Sequence, residues 1–160
     1  VAAAGTAVAA SACMRGSWAV MVRCPAPVPL PWDGAFINDG PLRWVARDSS
    51  KPGRTVPPGT ETWLLHASPE WSEAHIEDSA DTVTATLLAA FAALGGPATH
   101  LVQATAHRWR YADTEPALTQ GHWWDATACV GMCGDWLNGG KVEGAWLSGQ
   151  SLAHQLQQAR

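Results

Sequence analysis

Three stretches of this chain alternate in character with a two-residue period, and one stretch between them repeats at three and four. A strand sends successive side chains to opposite faces, whereas a helix returns to the same face about every 3.6 residues. The pattern therefore confines the fold to a sheet with a helix packed on it. In SWAVMVRC (17–24), Trp18, Val20, Val22 and Cys24 share one face, and Ala19, Met21 and Arg23 the other. ETWLLHA (61–67) sets Trp63 and Leu65 against Thr62, Leu64 and His66. HLVQATAHRWRY (100–111) is the longest candidate, with Gln103, Thr105, His107, Trp109 and Tyr111 facing one way and Val102, Ala104, Ala106, Arg108 and Arg110 the other. Two guanidinium groups at the end of an otherwise apolar face need anionic or polar partners.

The helical stretch is 79–94, where Val83, Leu87, Leu88, Phe91 and Leu94 make an apolar stripe. Asp78 or Ser79 can cap its start, and Gly95-Gly96-Pro97 stops it. PLRWVAR (41–47) is a further strand, while 32–40 and 48–59 are rich in turn formers and read as loops. Pro25, Pro27, Pro29 and Pro31 make a stiff extended connector. After a loop holding Trp123 and Trp124, TACVGMC (127–133) reads as a buried strand of a parallel sheet. Gly134-Asp135, the turn Asn138-Gly139-Gly140 and a helix over 142–157 follow, with Val142, Ala145, Gly149, Leu152 and Leu156 on one face. The expected class is α+β: a largely antiparallel mixed sheet with one helix in 1–126, then a strand–turn–helix of a different layer in 127–160.

A chain of 160 residues can bury a core without disulfides or metal. Only 15% of its residues are charged, against about 25% in an ordinary domain, so its surface is finished with Gly, Ser, Thr, Gln and Trp. Such a surface suits contact with another domain or a ligand, as do the ten tryptophans scattered from Trp18 to Trp146. A net charge of -4 gives no electrostatic reason to expect nucleic acid or an acidic membrane as partner. The opening VAAAGTAVAASACM has no basic residue before Arg15, reads poorly as a signal peptide and is too weakly apolar to span a bilayer. Cytoplasm is the expected compartment, and a start at Val1 rather than Met leads us to expect sequence upstream.

The terminal strand–turn–helix carries the strongest chemical signal. A glycine-rich bend before a helix offers free backbone N–H groups and the positive end of the helix dipole, which suit a phosphate or a pyrimidinedione oxygen. Asp135 repels phosphate but can accept hydrogen bonds from ribose or ribityl hydroxyls; alternatively it caps a turn, and the glycines only let the helix approach the sheet. Cys129 and Cys133, if on one strand, stand roughly 13 Å apart, too far for both to reach one zinc ion. No metal is expected, and the thiols are read as core filling. His66, His75 and His122 are isolated in sequence; His107 stands out because Arg108, Trp109 and Arg110 follow it. Neither a nucleophile-elbow motif nor a G-x-G-x-x-G fingerprint is present.

At HRWRYA (His107 to Ala112) and CGDWLNGGKVEGAWLSG (Cys133 to Gly149) the chain resembles the renalase-type FAD-dependent amine oxidase family. WDGAFINDGPLRWVARDSSKPGR (Trp32 to Arg54) and ETWLLHASPEWSEAH (Glu61 to His75) extend the likeness to nearly everything from Met14 to Leu156. The resemblance implies a two-domain NAD(P)/FAD-dependent oxidoreductase of which this is the C-terminal, substrate-facing part. Its partner would be the N-terminal FAD-binding half, and the last segment would return to that Rossmann-like domain. It further implies FAD near Gly134, Asp135, Gly139, Gly140, Val142 and Gly144. Hydride would pass from a reduced nicotinamide-type or amine substrate to the flavin, with reoxidation by oxygen. Substrate-side candidates are His107, Trp109 and Trp63, with Arg108 or Arg110 for an anionic group. The isolated chain is expected to be inactive. The rival expectation is a non-catalytic nucleotide-binding or protein-interaction module using the same aromatic-rich sheet.

Overall fold

The computed structural model describes residues 3–97 and 99–158, and these group into two compact units, 16–110 and 1–15 with 111–160. This division differs from the boundary at 126/127 expected from the sequence: the second unit takes both ends of the chain.

The architecture is α+β. A five-stranded sheet runs in the order β2 (Gly34–Phe36), β3 (Leu42–Arg47), β4 (Glu61–Ala67), β1 (Met14–Cys24) and β5 (Gln103–Thr114). The β2–β3, β3–β4 and β4–β1 pairs are antiparallel. Register places Val20 opposite Leu65 and Val22 opposite Trp63, so the apolar side of each alternating strand falls on one face. On that face α3 (Ala80–Ala93) packs, with Val83, Leu87 and Phe91 fully buried against β3 and β4. Each such side chain taken out of water contributes about 1.5–3 kcal/mol. Ser79 caps α3 by accepting the Thr82 N–H at 3.1 Å.

One buried ion pair ties the proline connector to this core. Glu61 Oε1 accepts from Arg47 Nη1 at 3.0 Å, and its Oε2 accepts from the Val28 N–H and from Trp63 Nε1, both at 2.8 Å. The Arg47 guanidinium lies 4.9 Å above the Trp63 ring and donates to the carbonyls of Leu30 (2.7 Å), Val28 (3.4 Å) and Trp32 (3.4 Å). Every oxygen of the carboxylate is therefore occupied, as a buried charge requires.

Two elements of this unit were hidden in the sequence pattern. β2 lies inside the stretch read as loop, and α2 (Pro69–Ala74) starts at Ser68, whose Oγ accepts the Trp71 N–H at 3.2 Å.

In the other unit, α1 (Ala3–Ala10) is an eight-residue helix whose Gly5 faces the Trp123 ring; a Cβ there would meet Cη2 at 2.7 Å. Trp123 and Trp124 are in a strand, not a loop: β6 (Trp123–Asp125) pairs antiparallel with β7 (Val130–Met132). The strand expected over 127–133 is corrected accordingly. Asp125 Oδ1 accepts the N–H groups of Thr127 and Ala128, closing a turn in which Cys129 takes φ +53°. Only three residues pair, and they pair antiparallel. Cys129 and Cys133 are exposed rather than core. A short 3-10 turn (Asp135–Leu137) leads through Asn138–Lys141 to α4 (Val142–Gln158).

α4 buries Gly144 and Ser148, with Ala145, Gly149 and Leu152 half-buried beside them. Val142, at 90% exposure, and Leu156, at 39%, leave the buried face they were expected to share. Among the described residues no helix is long and apolar enough to cross a membrane.

Candidate functional site

In the unit 16–110 the sheet face opposite α3 is the open one. Register brings Trp44 and Ala19 beside His66, Ala46 and Met21 beside Leu64, and Arg23 beside Thr62. Phe36 and Trp44 meet at 4.6 Å between ring centroids, and Phe36 is 72% exposed. Next to β1, β5 turns Gln103, Thr105, His107 and Trp109 outward, all exposed. His107 and Trp109 contact edge to face at 4.6 Å, and Trp109 keeps 54% of its surface accessible. An aromatic, weakly charged face of this kind can lie against a flat ligand.

A cavity of about 650 Å³ opens on this face. Its floor includes Met21, Arg23, Thr62, Leu64, Gln103 and Thr105, and Asp48, Arg54, Thr55 and Val56 of the 48–59 loop form its wall. Arg23 Nη2 donates to Gln103 Oε1 at 3.2 Å, while its buried Nε has no partner among the described residues. Asp48 is spent on two cations: Oδ1 lies 2.9 Å from Lys51 Nζ and Oδ2 3.2 Å from Arg54 Nε. His66, on the same sheet face, is held below its ordinary pKa, first by burial and then by the charge of Lys51.

The sequence candidates separate. His107 and Trp109 are together on the open face. Trp63 is 1% exposed, edge-on to Trp32 at 5.5 Å, and belongs to the core, reaching the cavity only as part of its lining. Arg108 and Arg110 have found the anionic partner that the sequence demanded, and it is internal: Arg108 Nη1 donates to the Ile76 carbonyl (2.7 Å) and to Glu77 Oε2 (3.3 Å), and Arg110 grips both Glu77 oxygens at 2.6 and 3.0 Å. That hydrogen bond from Arg110 pulls the Glu77 carboxyl below its ordinary pKa. Arg23, Asp48, Arg54 and Thr55 were missed. A charged residue ending the outward row of a strand, and a second one in a glycine–proline loop, were the available signals.

In the other unit, the residues proposed around a cofactor do cluster by chain connection. Gly134 donates its N–H to Ser148 Oγ at 2.9 Å, and the Trp136 ring closes over it, so that a Cβ would meet Cδ1 and Nε1 at 2.8 Å. Ser148 is fully buried and in turn donates to the Gly121 carbonyl. The amides of Gly139 and Gly140 are not the unpaired donors expected: they donate to the Leu118 and Asp135 carbonyls at 3.0 and 2.8 Å. Gly144 packs directly on the Asn138 carbonyl, leaving no room for a Cβ. The bend itself is open, since nothing lies within 4 Å of a Cβ built on Gly139, and Val142 starts α4 in solvent. A helix leaves its first N–H groups without intrahelical acceptors, so the donors here are those at the start of α4. The half-buried Asp135 has no side-chain hydrogen bond among the described residues. An exposed glycine bend, a helix start and a carboxylate without a side-chain partner are thus neighbours in sequence here. Among the described residues no group of three or more His, Cys, Asp and Glu is placed to hold a metal ion.

No family model matches the sequence. Among solved structures thirteen chains match the fold. One is reduced UDP-galactopyranose mutase, with a TM-score of 0.52 and 13% identity over 66% of this chain. The match spans 23% of the mutase, so this chain corresponds to less than a quarter of that protein. At such identity the likeness is one of fold.

Proposed function

We propose that this chain is the C-terminal, substrate-facing part of an FAD-dependent oxidoreductase of the renalase-like kind, acting on a reduced nicotinamide-type or amine substrate. The observation that carries the reading is the open Gly139 bend running into α4 with Asp135 beside it in sequence, since this is where the family-like block GDWLNGGKVEG falls. The fold likeness to a protein studied in its reduced state agrees with it.

FAD, when bound, supplies the two-electron acceptor, and molecular oxygen with a solvent proton takes the electrons and the substrate's hydrogen away as hydrogen peroxide. The chain's own residues position and enclose. The first N–H groups of α4 meet electron-rich cofactor atoms, and Asp135 accepts from hydroxyls. Trp109 and His107 stack on the substrate and exclude water. Arg108 and Arg110, locked through Glu77, stiffen the strand that carries them.

Expression with upstream coding sequence tests this. The product should be yellow and should lose most of its flavin on Asp135→Ala. A colourless product that cannot be reconstituted with FAD ends the reading.

A further inference from the structure

We infer that the cavity between residues 48–56 and the outward face of β4, β1 and β5 binds an oxyanion, phosphate or carboxylate, carried on a flat or apolar body. This deepens the function proposed above by naming the charged end of the substrate, but its test does not involve flavin, so either can fail alone.

Size comes first. About 650 Å³ is within the range of cavities that enclose small ligands. The walls come second: Met21, Leu64 and Val56 give an apolar strip, and the hydroxyls of Thr55 and Thr105 flank it.

Charge decides the ligand's sign. Lys51 and Arg54 share the single carboxylate of Asp48, whose two oxygens are both taken. Arg23 lines the same space and makes no ion pair among the described residues; its one partner is the neutral amide of Gln103. Among the lining residues two cations, Arg23 and Arg54, stand against the one anion Asp48, which Lys51 also neutralises from outside the lining; this is a local excess in a chain whose Asp and Glu outnumber Lys and Arg 14 to 10. The surplus is therefore a property of this place and not of the composition. Arg23 lines the cavity beside the apolar strip, and a guanidinium is suited to an oxyanion, which it binds through parallel hydrogen bonds.

The experiment is calorimetric titration of the 160-residue chain with matched probes that differ in one charge-bearing group: AMP against adenosine, and benzoate against benzamide. We expect saturable binding of at least one anionic member, about tenfold or more tighter than its neutral counterpart. Whichever pair shows the gap tells phosphate from carboxylate. Arg23→Gln should remove about tenfold of the affinity and leave the neutral probe unchanged. Should Arg23→Gln fail to fold by circular dichroism, Arg54→Gln on the exposed loop carries the same expectation. The inference is overturned if neither anion binds saturably, if neutral and anionic members bind alike, or if the folded variants bind as tightly as the parent.

Discussion

The two units hold themselves together by different means. Residues 16–110 are closed by carbon: Trp18, Val20, Leu65, Leu87 and Phe91 form one continuous apolar cluster, and the Glu61 carboxylate among them has both oxygens occupied. In the other unit, among the described residues, the fully buried large side chain is Leu137, and polar and glycine contacts accompany it. Ser148 bridges Gly134 and Gly121, Gly5 seats Trp123, and Gly144 meets a bare carbonyl. A large apolar core tolerates small shifts in backbone because many contacts share the load. A clamp of a few hydrogen bonds and close backbone approaches depends on each member.

The largest effect should come from the charged exception inside the apolar unit. Arg47→Met leaves Glu61 buried without its countercharge and should cost about 3–5 kcal/mol in denaturant unfolding, with the double variant Arg47→Met/Glu61→Gln recovering part of it. A loss well under 1 kcal/mol would mean that the pair is not a strut of the core. Next, Ser148→Ala should cost about 1–3 kcal/mol by stranding the Gly134 N–H and the Gly121 carbonyl. Hydrogen exchange should speed up in 121–150 and not in 61–67; equal acceleration in both would erase the contrast.

A smaller effect is pH-dependent. The folded pKa of His66 is depressed, so the unfolded chain binds its proton first on acidification. Its contribution is fully present above the ordinary value of 6.5 and is lost as pH falls through that value toward the folded pKa. Stability should rise through this window in the parent and rise less in His66→Gln; parallel profiles would refute it. Last, a thiol reagent at neutral pH should label Cys13, Cys129 and Cys133 quickly and Cys24 only after denaturation. Burial, and then Glu61, push the Cys24 thiol up to about 11. Labelling of Cys24 at the rate of the other three would show an open core.

The same contrast explains what could be read from the residues alone. β4 was legible to its last residue, and α3 to within one at each end, because their burial is written in apolar periodicity. α4 was found, but its buried face was misplaced: close approach selects Gly144 and Ser148, which carry no hydropathy signal, while the apolar Val142 is in solvent. β2 escaped because three residues among turn formers become a strand only through the register of β3. TACVGMC looked like core because cysteine and valine usually are, yet Asp125 turns the chain there. Of the candidate sites, the glycine bend was legible because it is local. The cavity was not, because Arg23, Arg54 and Gln103 meet only after β1, β4, β5 and the 48–59 loop have assembled.

In the proline connector every second residue is a proline. Its prolines occupy positions 25, 27, 29 and 31, while the carbonyls that reach Arg47 belong to 28, 30 and 32. The segment thus behaves like a ratchet with a two-residue tooth: what matters is parity. Exchanging one proline alters stiffness and keeps every carbonyl on its count, whereas inserting a single residue after Val28 would put the Leu30 and Trp32 carbonyls out of step with the guanidinium that reads them.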